Sequence, residues 1–339
     1  MNVAVFAYSR TGCETARNIA SFFPKDILKL YTIKRLQQTD FLCIGQPSEP
    51  LYRCIFSWAD AIIFVGSCGI AVRQIAPYVK EKQSDPAVVV IDELATFVIP
   101  LLSGHIGGAN DLARNLANHL HATPVITTAT DINHKFSVDA WAAKNGFLLH
   151  DLPTAKIVSA TILEQDVPMV CDFPVAGNYP NGIITKNTGN IGIYIGYGQK
   201  QPFKQTLSII PPILHLGIGC RKGTNIRAIE EAVHVVLQTH HIDCRAIKCV
   251  SSIDLKANEK GLLEFCANNN WPISFYSAEE LSSLKGEFTS SPFVTHITGV
   301  DNVCERAALM YADQIIVKKF AYNGVTVALA AENLEVQFG

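Results

Sequence analysis

Short apolar runs separated by helix-length amphipathic stretches dominate the chain up to about residue 150. VAVFAY, AIIFVGS, AVVVID, FVIPLL and PVITTATD show no alternation of polar with apolar residues, as expected for strands covered on both faces. Between them, helices are predicted around Glu14 to Phe22, from Gly69, and over Gly108 to Leu120. In the last, Ala109, Leu112, Ala113, Leu116, Ala117 and Leu120 recur at helical spacing and form the face that packs on a sheet. The predicted fold class is α/β, beginning with an open, mostly parallel sheet with helices on both faces.

Near Asp151 the pattern changes to a mixed α/β central region, with VPMVCDF, the turn GNYPNG and a hairpin expected across TKNTGN. Pro211-Pro212 can continue neither a helix nor a central strand, and a second α/β pattern follows it. There, ILHLGIGC reads as a strand and Thr224 to Gln238 as a helix. Further helices start near Asn258, Ser277 and Asp301, and IIVKKFAY and VTVALA flank Asn323-Gly324 as a terminal hairpin. The expected organisation is an N-terminal α/β domain with Gly-rich loops over 1–132, a central region over 133–211, and a C-terminal α/β domain over 212–332.

Composition narrows the function classes. The 339 residues are 48% hydrophobic and 17% charged, a soluble globular composition. A formal charge of -2 gives no basic field, so neither nucleic acid nor a membrane surface is expected as a partner. No cleavable leader is visible, and no run approaches the roughly 20 apolar residues that span a bilayer, so the expected location is cytoplasmic. Ten cysteines without a C-x-x-C pair suggest neither a zinc ribbon nor a disulfide framework, and no metal site is expected.

Three glycine-bearing loops follow apolar runs: Gly66-Ser67-Cys68-Gly69, Ser103-Gly104-His105-Ile106-Gly107-Gly108, and Thr127-Thr128-Ala129-Thr130-Asp131. Following strands of the predicted parallel sheet, these loops are expected to share the carboxyl edge where open α/β sheets bind ligands. Their bare N–H groups would then form a donor-rich floor. On this reading Gly66, Ser67, Gly69, Ser103, Gly104, Gly107, Gly108, Asn110 and Thr128 are candidate binding residues, with Arg73 as a nearby cation. His105 is the candidate general base because imidazole titrates near neutrality. Glu93 and Asp131, each ending an apolar run, are its candidate orienters or substitutes.

In the C-terminal half, LGIGCRKGT sets Gly217, Gly219 and Gly223 between a strand and a helix, with Arg221 and Lys222 in the turn. Gly219, Arg221 and Lys222 would suit a carboxylate or phosphate. The spacing is neither a dinucleotide fingerprint nor a P-loop. Ser9 to Thr15 loosely resembles a flavodoxin phosphate loop, and the reading preferred is a strand-to-helix turn capped by Ser9 or Thr11.

GIAVRQIAPYVKEKQSDPAVVVIDE, LLSGHIGGANDLA and TPVITTATD, followed by GIGCRKGT, SSIDLKANEKGL and TGVDNVCERAAL, closely resemble the cobalt-precorrin-5A hydrolases of anaerobic cobalamin biosynthesis. The resemblance implies a small-molecule cobalt tetrapyrrole as substrate, with cobalt carried by that substrate and no cofactor. It implies opening of the ring A δ-lactone and release of acetaldehyde to give cobalt-precorrin-5B, with room for contact with neighbouring pathway enzymes. Arg73, Arg221 and Lys222 would then meet the substrate's carboxylates. The alternatives are a non-catalytic tetrapyrrole carrier and a flavin- or nucleotide-dependent enzyme.

Overall fold

A computed structural model describes residues 1–81, 84–105, 107–149 and 151–338. It divides into two compact units, Met1–Lys144 and Asn145–Gly339. The first unit holds strands β1 (Asn2–Ala7), β2 (Ile27–Ile33), β3 (Leu42–Ile44), β4 (Ala61–Val65), β5 (Ala87–Ile91), β6 (Phe97–Leu102) and β7 (Thr123–Pro124). Its helices are α1 (Arg10–Ser21), α2 (Glu49–Trp58), α3 (Cys68–Ile75), α4 (Ala109–Leu120), α5 (Ala129–Ile132) and α6 (Val138–Lys144). The strands form one sheet in the order β3-β2-β1-β4-β5-β6-β7. Alternate residues of each strand face opposite layers. Val3, Val5 and Ala7 pack with Ala16 and Ile19 of α1 and Leu116 of α4. Ala4 and Phe6 pack with Tyr52 and Ile55 of α2 and Ala71 of α3. The open sheet with helices on both faces is therefore as expected.

One pairing breaks the parallel pattern. β6 runs antiparallel to β5, and β7 is parallel to β6. Only residues 92–96 join β5 to β6, and a parallel crossover needs about a dozen or more. The Asp92 carboxylate closes this turn by accepting from Leu94 N at 3.0 Å and Phe97 N at 2.5 Å. The expectation that all three glycine loops share one edge is therefore corrected. Gly66–Gly69 follows β4 at one edge, while Ser103–Gly108 and Thr127–Asp131 lie at the other.

The second unit holds β8 (Leu148–Leu149), α7 (Leu152–Glu164), β9 (Val167–Cys171), β10 (Val175–Ala176), β11 (Ile183–Thr185), β12 (Ile191–Ile195) and β13 (Gln205–Ile210). It continues with β14 (Leu214–Cys220), α8 (Ile226–Thr239), β15 (Ile247–Ile253), α9 (Lys260–Asn268), β16 (Ile273–Tyr276), α10 (Ala278–Ser283), α11 (Pro292–Thr298) and α12 (Val303–Leu309). Strands β17 (Gln314–Tyr322), β18 (Val325–Ala331) and β19 (Val336–Gln337) complete it. The sheet orders are β11-β9-β12-β13-β8 and β16-β15-β14-β18-β17, with β10 paired to β19. β17 and β18 form the antiparallel hairpin expected around Asn323-Gly324, both of which have positive φ.

The hairpin expected across TKNTGN is not formed. β11 and β12 both run parallel to β9, one on each side. The connection passes β9 where a Cβ on Gly189 would come within 3.1 Å of Pro168 Cγ, so a small residue lets the chain cross there. No helix among the described residues is long and apolar enough to cross a membrane.

Close approach of α12 to β14 is the tightest packing constraint in the second unit. A Cβ on Gly217 would stand 1.9 Å from Cys304 O and 2.8 Å from Ala308 N, both backbone atoms. Gly217→Ala is expected to destabilise the protein by at least roughly 1–3 kcal/mol, the usual cost of overpacking. Gly45→Ala, with nothing within 4 Å of the new Cβ, is the control. Urea unfolding midpoints measure both, and equal midpoints would refute the packing argument.

Candidate active site

The His105 loop is built by a close backbone contact. Ser103 adopts φ 58 and its hydroxyl donates to Asp85 O at 3.0 Å, anchoring the end of β6 to the start of β5. A Cβ on Gly107 would lie 2.4 Å from Ser103 Cβ, so only glycine permits the loop to fold back here. Gly108, with φ 78, starts α4, and Ala109 N and Asn110 N donate to Ser103 O and Gly104 O at 3.1 and 3.0 Å. Ile106 lies outside the described residues.

This loop holds His105 between two carboxylates. Its Nε2 is 3.2 Å from Asp131 Oδ2 and its Nδ1 is 3.4 Å from Asp139 Oδ1. Thr130 Oγ1 is 3.1 Å from the same Nε2. Asp131 is fixed by Asn110 Nδ2, which donates to it and to Thr128 Oγ1 at 2.9 Å each, and by Arg114. Asp139 accepts from Ser137 Oγ and Ala140 N, each at 2.9 Å.

The hydrogen bond to Asp139 raises the His105 proton affinity above the ordinary value, outweighing burial, which favours the neutral ring, and Asp131 adds to the rise. Burial pushes Asp131 up, but Arg114 and His105 prevail and hold it below its ordinary value. Asp139 is likewise held low, because His105, Ser137 and Ala140 N outweigh its burial. With both ring nitrogens facing carboxylates, the protonated ring is favoured more than in a free histidine. A ring held this way can donate a proton when charged and accept one when neutral.

Glu93 is elsewhere. It extends from β5 at the opposite edge, where Ser9 donates to its carboxylate and Thr15 Oγ1 donates to its carbonyl at 2.7 Å. The expected role as orienter of His105 is corrected by the reversal of β6. Ser9 also caps α1 by accepting from Gly12 N, which is the plain turn reading of that segment. Gly66, Ser67, Gly69 and Arg73 share this edge, and Arg73 Nη1 donates to Gly69 O at 3.3 Å. The Gly66 N–H donates to Ile91 O and the Gly108 N–H to His105 O, so these two amides are committed within the fold and do not join the donor-rich floor expected. Asp139, Arg114 and Thr130 were missed. Arg114 carried one signal, standing four residues after Asn110 on the same helix face.

In the second unit, Gly219, Arg221 and Lys222 line a cavity of about 780 Å³ together with Lys256, Glu259 and Lys319. Leu255, 64% exposed, and Ile297, 58% exposed, add apolar surface to it. All three motifs singled out in the C-terminal half converge here: GIGCRKGT through Arg221, SSIDLKANEKGL through Lys256, and TGVDNVCERAAL through Cys304. The Gly223 N–H donates to Glu259 Oε1 at 2.7 Å, so this turn amide is not offered to an anion and the cationic side chains carry the charge. Nothing in local spacing marked Lys256 or Lys319, which reach the cavity from separate segments.

A family model described as Cobalamin synthesis G N-terminal matches residues 51–131, and one described as Cobalamin synthesis G C-terminus matches residues 214–330. The cobalt-precorrin-5A hydrolase of Priestia megaterium is 31% identical over 352 residues, covering 96% of this chain and 94% of that protein. That of Salmonella typhimurium is 32% identical over 351 residues, covering 97% of each. The chain belongs to the cobalt-precorrin-5A hydrolase family. A crystal structure of a cobalamin biosynthesis protein G homologue from Sulfolobus solfataricus is similar at 24% identity, covering 97% of both chains, with a TM-score of 0.40. The N-terminal family match takes in His105 and Asp131 and stops short of Asp139.

The ion pairs at His105 carry a signed pH dependence. Because folding raises the histidine's proton affinity, its stabilisation is complete below the ordinary value of about 6.5 and is lost as pH rises through the higher folded value. Histidine ring NMR should give a His105 midpoint above 6.5, and Asp139→Asn should lower it. A midpoint at or below 6.5 would contradict the arrangement.

Proposed function

We propose that the chain hydrolyses cobalt-precorrin-5A, opening the ring A δ-lactone and releasing the bridging carbon with its methyl group as acetaldehyde, which leaves cobalt-precorrin-5B. The observation that carries this reading is similarity over 96% and 97% of the chain to two proteins named for that activity. Water is the only co-reactant, cobalt belongs to the substrate, and no cofactor enters the reaction.

His105 is the proposed proton carrier. Water adds to the lactone carbonyl and gives up a proton to solvent, the acyl C–O bond breaks to leave a carboxyl group, and the freed alkoxide takes a proton from the His105 imidazolium. The neutral ring then accepts that hydroxyl proton as the carbon–carbon bond breaks, with the bonding electrons passing into the macrocycle and the carbon becoming an aldehyde. Asp139 and Asp131 stabilise the charged ring at the start of this cycle. In the second unit, Arg221, Lys222, Lys256 and Lys319 are the proposed grip for peripheral carboxylates, with Leu255 and Ile297 meeting the macrocycle's apolar surface. The volume of about 780 Å³ falls within the roughly 300–1,000 Å³ usual for small-molecule sites. The reading carries with it a cytoplasmic enzyme that exchanges an unstable intermediate with neighbouring pathway enzymes.

With cobalt-precorrin-5A as substrate and acetaldehyde as readout, His105→Asn should lower turnover by ~10²–10⁴, the usual worth of acid–base catalysis. Glu93→Gln should keep near-normal turnover, and loss of activity there with His105→Asn unaffected would move the reaction to the other edge. Arg221→Ala with Lys222→Ala should raise KM about tenfold or more per contact while turnover holds. A normal KM with collapsed turnover would contradict the gripping role. Active, folded protein that releases no acetaldehyde would overturn the function itself.

A further inference from the structure

A second set of proton-handling side chains stands in the second unit, and none of them lines the cavity. His215 on β14 is paired with Cys249 on β15, and the register shifts between Leu214 and His215. Such an irregularity re-aims side chains. Glu332 follows β18, which pairs with β14 on its other side. Three adjacent strand positions thereby bring a thiol, an imidazole and a carboxylate into line.

The geometry is that of a nucleophile, its base and an orienting group. Cys249 Sγ is 3.1 Å from His215 Nδ1, and His215 Nε2 is 2.7 Å from Glu332 Oε1. Glu332 also accepts from Lys248 Nζ at 2.6 Å. Burial pushes Glu332 up, but Lys248 and His215 outweigh it and keep the carboxylate ionised. An ionised Glu332 assigns the ring proton to Nε2 and leaves the Nδ1 lone pair facing the thiol. His215 itself is only 4% exposed, so its alignment is held by packing. Cys249 is half-buried, and burial pushes its thiol up, so at rest the sulfur keeps its proton. Ser251 and the Lys248 ammonium act in the opposite sense on Cys249, Glu332 adds to the rise, and Tyr276, whose own hydroxyl burial pushes up, feels Cys249 in turn.

We infer that Cys249 is a covalent modification site for small uncharged electrophiles, with His215 as its base and Glu332 as a positioning residue. As sulfur attacks the electrophilic carbon, the S–C bond forms and the thiol proton passes to His215 Nδ1. With a haloacetamide the halide leaves with the bonding pair. With an aldehyde the carbonyl π pair becomes an alkoxide, which takes the proton back from His215 to give a thiohemiacetal. Neither step needs an oxidant or reductant. Half-burial restricts the site to small reagents, and the assignment is independent of the hydrolase activity.

The test is iodoacetamide labelling of the native full-length protein, read by peptide mass spectrometry between about pH 6.5 and 8. Cys54 and Cys244 are exposed and serve as internal references. A thiol with no base beside it reacts through its thiolate, so the reference rates should climb with pH, by up to about tenfold per unit. The Cys249 rate should change less than about threefold over the whole window, because transfer to His215 removes the need for prior ionisation. Glu332→Gln should lower the Cys249 rate by about tenfold and leave the references unchanged, with His215→Asn lowering it at least as much. Should His215→Asn fail to fold, the pH profile and Glu332→Gln decide. Three results overturn the assignment: Cys249 unlabelled while the references react, a Cys249 rate that climbs with pH as the references do, or a rate untouched by Glu332→Gln.

Discussion

Asp92 accepts backbone hydrogen bonds from Leu94 and Phe97, and the reversal it closes sends β6 back along β5. Every functional distance in the first unit depends on that turn. With β6 reversed, the loop after it falls beside the start of β5, where Asp85 O receives the Ser103 hydroxyl. β7 follows β6 in parallel, so Asp131 arrives at the same edge and meets His105. Had β6 been parallel, Glu93 and His105 would have shared an edge. Instead the sheet separates a ring of mutually satisfied groups at Ser9 and Glu93 from the ion-paired histidine.

Charge balance explains why the histidine sits as it does. A half-buried imidazolium is costly alone, and burial by itself favours the neutral ring. Asp139 and Asp131 reverse that preference, and each carboxylate has other donors, so the cluster does not rely on one bond. A ring held in this way keeps its proton to higher pH than a free histidine.

Much of the first sheet was legible because its strands are continuous apolar runs and α4 keeps a clean helical face. The glycines around His105 were legible as a special loop, and the requirement at Gly107 for close approach to Ser103 gives the reason. Strand direction was not legible from apolarity, although the five residues at 92–96 between β5 and β6 were too few for a crossover. Asp139 carries no spacing signal toward His105, since the contact arises only when α6 folds beside the loop. The cavity was half legible: Arg221 and Lys222 stood in a glycine-rich turn, whereas Lys256 and Lys319 come from distant segments that only the β15-β14-β18-β17 pairing brings together. The two-residue strand β19 was not legible either, because it is defined by its partner β10 rather than by its own sequence.

The most direct test of the proton-donor account is the pH dependence of turnover for acetaldehyde release from cobalt-precorrin-5A, measured for the native protein and for Asp139→Asn. If His105 must enter the reaction protonated, native turnover falls as pH rises through a value above the ordinary histidine value of about 6.5. In Asp139→Asn that descending limb moves to lower pH, because the largest contribution to the shift is gone. A turnover that rises with pH across the same interval, or a limb that Asp139→Asn leaves in place, would contradict the account.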